Sequence, residues 1–352
     1  MYKKLIRPLL FAFSAERAHN IVVAALRIAG VIPGMHRLFR RLWAVEHPSL
    51  EREVFGLRFR NPVGAAAGID RNGEIFRELS AAGFGFVEVG TVTPRPEAGN
   101  PRPRMFRLPQ DLALVNRSGR VNKGLERVIE NLRHDHGDMV LGCNIGKNSV
   151  TPPENAAADY LKCFRRLYRL VDYFTVNISG NAAAHEFAPR TREQITAILE
   201  PLFDFRRGQD LYRPVLLKIS PDMTDEEIDM VTDIMIQTPL DGIVAVNATA
   251  SRDGLKSSRR DIAACGIGTL SGAPLTARAV EVVRRICRRS GGAYPVIATG
   301  GIMSPADVRA MFAAGASLVQ LHTALVYEGP RIISDICSDL AADAAPSDTK
   351  TE

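Results

Sequence analysis

The chain has 352 residues, 46% of them hydrophobic, and a formal net charge of +6. That length suits one barrel of roughly 250 residues plus an appendage, with apolar content enough for a large core. The positive balance fits an anionic ligand, an anionic membrane surface or RNA, while the five scattered cysteines, with no CxxC pair or metal spacing, read as reduced thiols in a cytoplasmic protein.

Residues 1–45 read as a helical appendage. Leu5, Ile6, Leu9, Leu10 and Phe13 recur at helical spacing opposite Lys3, Lys4 and Arg7. Ser14 stands where an N-cap belongs for a second helix that carries Ile21, Val22, Ala25, Leu26 and Ile28 and ends at Gly30. A basic cluster follows, Arg37, Arg40 and Arg41. Apolar stripes beside basic residues suit a helix pair lying on an anionic bilayer. By periodicity alone, a pair docked on the barrel is the simpler account. No apolar run reaches the ~18 residues of a spanning helix, and Arg7-Pro8 breaks the run after Lys3-Lys4, so no cleaved leader is expected.

From Asn61 onward strands and helices alternate. Strands are expected at Val63–Ala67, Gly85–Val89, Met139–Ile145, Tyr173–Ile178, Val215–Ile219, Gly242–Val246, Pro295–Ala298 and Ser317–Leu321. Eight strands, each followed by a helical segment, predict an α/β fold: a (β/α)8 TIM barrel over residues 46–340 with an N-terminal two-helix extension. The linkers Pro94–Pro103 and Ala248–Leu270 are long for an ideal barrel and are expected to carry function or cover its mouth. Residues 341–352 read as a disordered tail.

Polar residues sit where these strands end: Asp70 with Arg71, Thr91, Asn144, Asn177 with Ser179, Lys218 with Ser220, Asn247, Thr299 and Thr323. In a barrel those ends converge on the active-site face. Buried amides need partners, so the asparagines point to a planar ligand rich in donors and acceptors. Near the end, Thr299-Gly300-Gly301 precedes an N-cap, Ser304-Pro305. Two glycines there admit an anion such as phosphate to backbone N–H groups; an ordinary strand-Gly-Gly turn reads the same.

Several long segments, in order, resemble the dihydroorotate dehydrogenases: Asn61-Pro-Val-Gly-Ala-Ala-Ala-Gly-Ile-Asp-Arg-Asn-Gly-Glu74, Val89-Gly-Thr-Val-Thr-Pro-Arg-Pro96, Asn144-Ile-Gly-Lys-Asn148, Leu270-Ser-Gly-Ala-Pro-Leu275 and Thr323-Ala-Leu-Val-Tyr-Glu-Gly-Pro330. Ala15-Glu-Arg-Ala-His19 is similar to the extension of class 2, the membrane-bound, quinone-reducing branch. The resemblance implies FMN at the barrel mouth. Carried over position by position, it assigns flavin contacts to Ala67, Gly68, Arg71, Thr91, Asn144 and Asn177, and further to Lys218, Val246, Gly272, Gly300, Gly301, His322 and Thr323. It also implies His19 and Arg104 at a quinone tunnel, peripheral membrane contact on the cytoplasmic side, and no metal.

The substrate half departs from the family. Its Asn-x-Ser-Ser-Pro-Asn-Thr reads here Asn177-Ile-Ser-Gly-Asn-Ala-Ala183, so Gly180 stands at the position of the serine base and cannot take a proton. Arg120 replaces an aromatic residue beside that base, His322 a tyrosine, and Arg71 a lysine, which is not a conservative exchange. Asn116, Asn177 and Asn247 keep the substrate pattern; Arg71 and Arg120 would join them. His185 is the candidate replacement base, with the right ordinary pKa, and is otherwise an exposed loop histidine. The expected function is an FMN-dependent oxidoreductase of the quinone-linked type acting on a substrate other than dihydroorotate. The alternatives are a non-catalytic FMN-binding paralogue, or a true dihydroorotate dehydrogenase of pyrimidine biosynthesis with a replaced base. An RNA-acting flavin barrel similar to the dihydrouridine synthases ranks last, since no catalytic cysteine stands in the expected setting and no nucleic-acid partner is expected.

Overall fold

The computed structural model describes residues 2–133, 136–180 and 187–343. Eight short parallel strands form a closed barrel: β1 (Val63–Ala65), β2 (Phe86–Val92), β3 (Val140–Ile145), β4 (Tyr173–Asn177), β5 (Val215–Lys218), β6 (Gly242–Ala245), β7 (Val296–Thr299) and β8 (Leu318–Leu321). Each pairs with the next, and β8 closes on β1 with Val319 opposite Val63 and Leu321 opposite Ala65. The expected strands are all present, with ends moved by one to three residues.

The pleat sorts the barrel interior into layers, because alternate residues point inward. At the floor lie Phe86, Val140, Tyr173, Leu216, Val244, Ile297 and Leu318, packed on Val54 and Phe59 from a two-stranded hairpin, Arg52–Val54 with Leu57–Phe59. Gly64 and Gly142 make room for the aromatic rings: a Cβ on either would lie 2.3 Å from the Phe86 ring or 2.1 Å from that of Tyr173. Two residues further along four of these strands come Glu88, Thr175, Lys218 and Gln320, a polar layer resting on an apolar floor. The functional face starts there.

Helices pack around this cylinder: α4 (Phe76–Ala81), α5 (Leu125–Leu132), α6 (Ala156–Leu167), α7 (Arg192–Arg207), α8 (Asp225–Gln237), α9 (Arg259–Cys265), α10 (Thr276–Arg289), α11 (Pro305–Ala313), α12 (Thr323–Tyr327) and α13 (Arg331–Asp343). Ser304 caps α11 as the sequence indicates, its side chain accepting from Asp307 N. Helix α13 runs three residues into the segment expected to be a tail; residues 344–352 lie outside the described set.

The extension holds more than two helices. After a π-type turn at Tyr2–Ile6 come α1 (Arg7–Phe11), α2 (Ala15–Gly30) and α3 (Met35–Trp43). Gly34, with φ of 84°, turns the chain into the third helix, whose Phe39 is buried and packs at a tilt against the Trp43 ring. Ser14 caps α2. Among the described residues no single helix is long and apolar enough to cross a membrane. The two long linkers also hide structure: Met105–Leu108, Ala113–Asn116 and Thr269–Gly272 form a three-stranded antiparallel sheet, built from the connections after β2 and β6. Its side chains line one wall of the cavity at the barrel mouth.

Candidate active site

A cleft with about 1370 Å³ of empty space, part of it open to solvent, sits over the C-terminal ends of the strands. The turn after β1 is fixed by Asp70, which accepts from the backbone N–H of Asn72, Glu74 and Ile75 (3.3, 2.8 and 2.8 Å). Burial raises the Asp70 pKa, and those N–H groups oppose the rise. Its role is to set the turn that presents Gly68 and Arg71 to the cavity.

A hydrogen-bonded chain crosses the mouth. Glu88 accepts from Asn144 Nδ2 (2.9 Å), Gln320 Nε2 (2.8 Å), Thr175 Oγ1 (3.0 Å) and Tyr173 Oη (3.2 Å). Asn144 Oδ1 in turn accepts from Thr91 Oγ1 (2.6 Å) and Asn177 Nδ2 (3.2 Å). Asn177 Oδ1 accepts from Ser179 Oγ (2.5 Å), and Asn247 Nδ2 donates to that same hydroxyl (2.5 Å). The expectation that these asparagines need a ligand is therefore corrected for Asn144 and Asn177, whose amides are satisfied by Glu88, Thr91, Ser179 and each other; Asn247 Oδ1 has no partner among the described residues. Asn144 does not line the cavity and instead holds Thr91 and Asn177 from behind.

The buried groups left unsatisfied are elsewhere. Gln320 Oε1 and Ser118 Oγ are buried without a hydrogen-bond partner, and both residues line the cavity. A buried orphan of this kind calls for an occupant of the cavity. Lys218 is 4% exposed, and its Nζ has no hydrogen-bond partner among the described residues. Burial pushes its pKa down, and the Glu88 carboxylate opposes this. Arg71 reaches only Met105 Sδ (3.8 Å), and Arg120 donates to the Lys147 carbonyl (3.0 Å). No carboxylate pairs with either arginine among the described residues, and Lys218 has only the opposing charge of Glu88, so cationic side chains prevail at the cavity wall there. That arrangement selects an anion.

At the other end Gly272, Gly300 and Gly301 have φ of 109°, 95° and 76°. A Cβ at Gly301 would fall 2.3 Å from Thr276 N, so only glycine fits that crossing. Close by, Ser271 Oγ and Thr323 Oγ1 share a hydrogen bond of 2.8 Å. Bare backbone and two hydroxyls beside the start of α12 suit a phosphate group.

The sequence-derived residues thus converge, with exceptions. Ala67, Gly68, Arg71, Thr91, Asn116, Arg120, Asn177, Lys218, Val246, Asn247, Gly272, Gly300, Gly301, His322 and Thr323 line the cavity, as does Gly180. His185 lies outside the described residues. His19 and Arg104 are not in the cavity wall. Burial, then the Arg71 charge, holds the His19 pKa near 4 against the pull of Glu16. His322 is pushed to about 3 by burial and by the charges of His19, Lys218 and Arg71. Both imidazoles are neutral at physiological pH. Arg104 grips Glu16 of α2 with Nε (3.1 and 3.2 Å) and Nη2 (2.6 Å), while Nη1 donates to the carbonyls of Ala98 and Asn100. It anchors the extension. Glu88, Ser118 and Gln320 escaped the sequence reading, although one polar residue inside each apolar run, Phe86–Val89 and Leu318–Leu321, marks the first and last.

The dihydroorotate dehydrogenase family model matches residues 49–343. A relative from Christiangramia forsetii, dihydroorotate dehydrogenase (quinone), is 43% identical over 96% of this chain and 97% of its own length. Another of the same name, from Thermobifida fusca, is 44% identical over 94% and 89%. The crystal structure of Eimeria tenella DHODH in complex with ferulenol aligns with a TM-score of 0.81 at 32% identity, covering 92% of this chain and 90% of that one. With a parallel barrel, a cationic cavity at its mouth and a helical extension pinned beside it, this chain belongs to the dihydroorotate dehydrogenase family, in its quinone-dependent class 2 branch.

Proposed function

We propose that the chain oxidises dihydroorotate to orotate and passes the two electrons through FMN to a quinone. The observation that carries this reading is the paired character of the cavity: a glycine-and-hydroxyl cradle at one end and an unpaired Lys218 with the orphaned Gln320 Oε1 at the other. FMN, the family's cofactor, has a phosphate for the first and a polar, amide-like ring edge for the second, and when bound it supplies the hydride acceptor. Lys218 would stabilise negative charge on that edge; burial lowers its pKa and the Glu88 carboxylate partly offsets that lowering.

On the substrate side, Asn116, Asn177 and Asn247 present amides, and Arg71 and Arg120 present forks suited to a carboxylate. Gly180 brings no side chain to the proton that must leave C5 as the hydride leaves C6. We assign that proton to His185, a titratable residue five positions after Gly180 in the sequence. The altered loop and Arg120 motivated the expectation of a different substrate; relatives above 40% identity across the whole chain favour dihydroorotate. His19, on α2 of the extension and near enough to the cavity's Arg71 to feel its charge, would receive the quinone, while Arg104 acts one step back through Glu16. The exposed apolar side chains of α1 to α3 support peripheral contact with the cytoplasmic face of a membrane.

The test is anaerobic. Dihydroorotate is mixed with the flavin-loaded protein and the visible flavin band is followed; a soluble quinone is then added. Bleaching followed by recovery is expected. A flavin that dithionite reduces and dihydroorotate does not would overturn the substrate assignment, and a chain that purifies without flavin would turn the reading to the non-catalytic paralogue.

A further inference from the structure

Most of the exposed large hydrophobic side chains of the described chain lie before Trp43, among them Leu5, Leu9, Ile28, Val31, Leu38 and Leu42. On α3, Leu38 and Leu42 stand one turn apart, 46% and 56% exposed, while the adjacent Phe39 is buried. Arg37 and Arg41, also one turn apart, flank that apolar pair. With Arg40, Ala44 and Glu46 they line a shallow pocket with about 670 Å³ of empty space, much of it open to solvent, at the rim of the apolar surface. None of the three guanidinium groups makes a hydrogen bond or ion pair with a described residue. The arginines of α10 behave differently: Arg285 and Arg289 are each paired with α8 carboxylates, Asp229 and Asp233.

Three guanidinium groups that converge without a partner, beside aliphatic side chains open to solvent, match one kind of molecule: a phosphodiester joined to acyl chains. We propose that α3 carries a headgroup site for an anionic phospholipid, with the phosphodiester held by Arg37, Arg40 and Arg41 and the acyl chains lying along Leu38 and Leu42. Glu46 on the rim leaves the pocket at a net charge of +2 and accepts from headgroup hydroxyls. Arginine suits the task because its planar fork meets two phosphate oxygens at once, where a lysine meets one. The site rests on the membrane contact proposed above and adds to it a defined lipid position.

The test uses the full chain and co-sedimentation with vesicles of phosphatidylcholine, with and without a fifth of phosphatidylglycerol. The variant Arg37→Gln/Arg40→Gln/Arg41→Gln is compared with a charge-matched control, Arg260→Gln/Arg284→Gln/Arg288→Gln, on exposed faces of α9 and α10. Wild type and control are expected to bind the anionic vesicles alike, with the α3 variant weaker by on the order of 100-fold, near the sum of three basic residues at a membrane surface. All three should keep the same rate of flavin reduction by dihydroorotate, and glycerol phosphate at millimolar concentration should not displace the vesicles. Equal losses in both variants would show diffuse charge and overturn the site. Displacement by glycerol phosphate would replace the lipid by a soluble phosphate ester as occupant. Wild type that binds both vesicle types equally, with the α3 variant unchanged, would overturn the site and leave the membrane contact; no binding to either vesicle would remove that contact itself.

Discussion

Arg104→Ala should free α2 while leaving the barrel folded. The side chain is 5% exposed and that of Glu16 12%, and three of the hydrogen bonds between them hold α2 against the loop before Met105. Removing one partner of a buried ion pair costs roughly 3–5 kcal/mol. Arg102, 69% exposed and 3.2 Å from Glu16, remains and offsets part of that loss, which leaves about 2–3 kcal/mol for local opening. At a factor of ten per 1.4 kcal/mol, hydrogen exchange along α2 should quicken by roughly 30- to 150-fold. The pH dependence has a definite sign. Burial alone would raise the Glu16 pKa, but hydrogen bonds and charge from Arg104, then Arg102, outweigh it and hold the carboxyl below its ordinary 4.5. The anchor is therefore complete above that ordinary value and fades as pH falls through the lower folded value, so the difference between variant and wild type should shrink in acid. Exchange would be measured by mass spectrometry on peptides covering residues 15–30, alongside flavin reduction and reoxidation by quinone. Unchanged exchange together with slowed reoxidation would refute the anchoring role and place Arg104 at the quinone.

Lys218→Met should keep the fold and slow flavin reduction by about 100- to 1000-fold, the usual loss when one preorganised charge-stabilising donor is removed; stopped-flow absorbance checks it, and a loss below tenfold would argue against the role. Gly301→Ala puts a Cβ 2.3 Å from Thr276 N at a φ of 76°, so the variant should purify with little flavin, as read from the ratio of visible to ultraviolet absorbance. His185→Ala should lower the rate of flavin reduction by about 100-fold or more and leave reoxidation by quinone untouched; equal rates would return His185 to the role of a loop residue. Because His19 and His322 are held near 4 and 3, quinone reoxidation should show no imidazole titration between pH 5.5 and 7.5, and a step near 6.5 that disappears in His19→Asn would contradict their burial.

The barrel was legible because its strands are buried on both faces and so appear as bare apolar runs. The polar strand ends were legible for the same reason: an asparagine or lysine has no business closing such a run unless it faces a site. What these residues touch was not legible. Asn144 stands near the C-terminal end of β3 yet spends its amide on Glu88, Thr91 and Asn177 behind the cavity wall, and nothing near position 144 announces residues more than thirty positions away. Arg104 and Glu16 are similarly remote in sequence, and a quinone role was the natural reading until their ion pair was visible. The third helix of the extension escaped because its basic residues masked the register of Phe39 and Trp43, the two that dock it. The antiparallel sheet escaped because four-residue strands between prolines and glycines resemble loop.

One face of that sheet has two clients. Met105, Leu114 and Asn116 look into the cavity, while Arg107, which the register sets opposite Leu114 on the same face, donates to the Phe13 carbonyl at the end of the first-helix segment and stacks its guanidinium on Phe11. A single surface thus serves the reacting chamber and the appendage. Substitutions in the hairpin from Met105 to Asn116 are consequently inherited by both: a change that improves one ligand's fit shifts the footing of the other. Sequence drift in this segment should be slower than its surface position suggests, and lineages that exchange their electron acceptor would have to rebuild this hairpin together with the helices that rest on it.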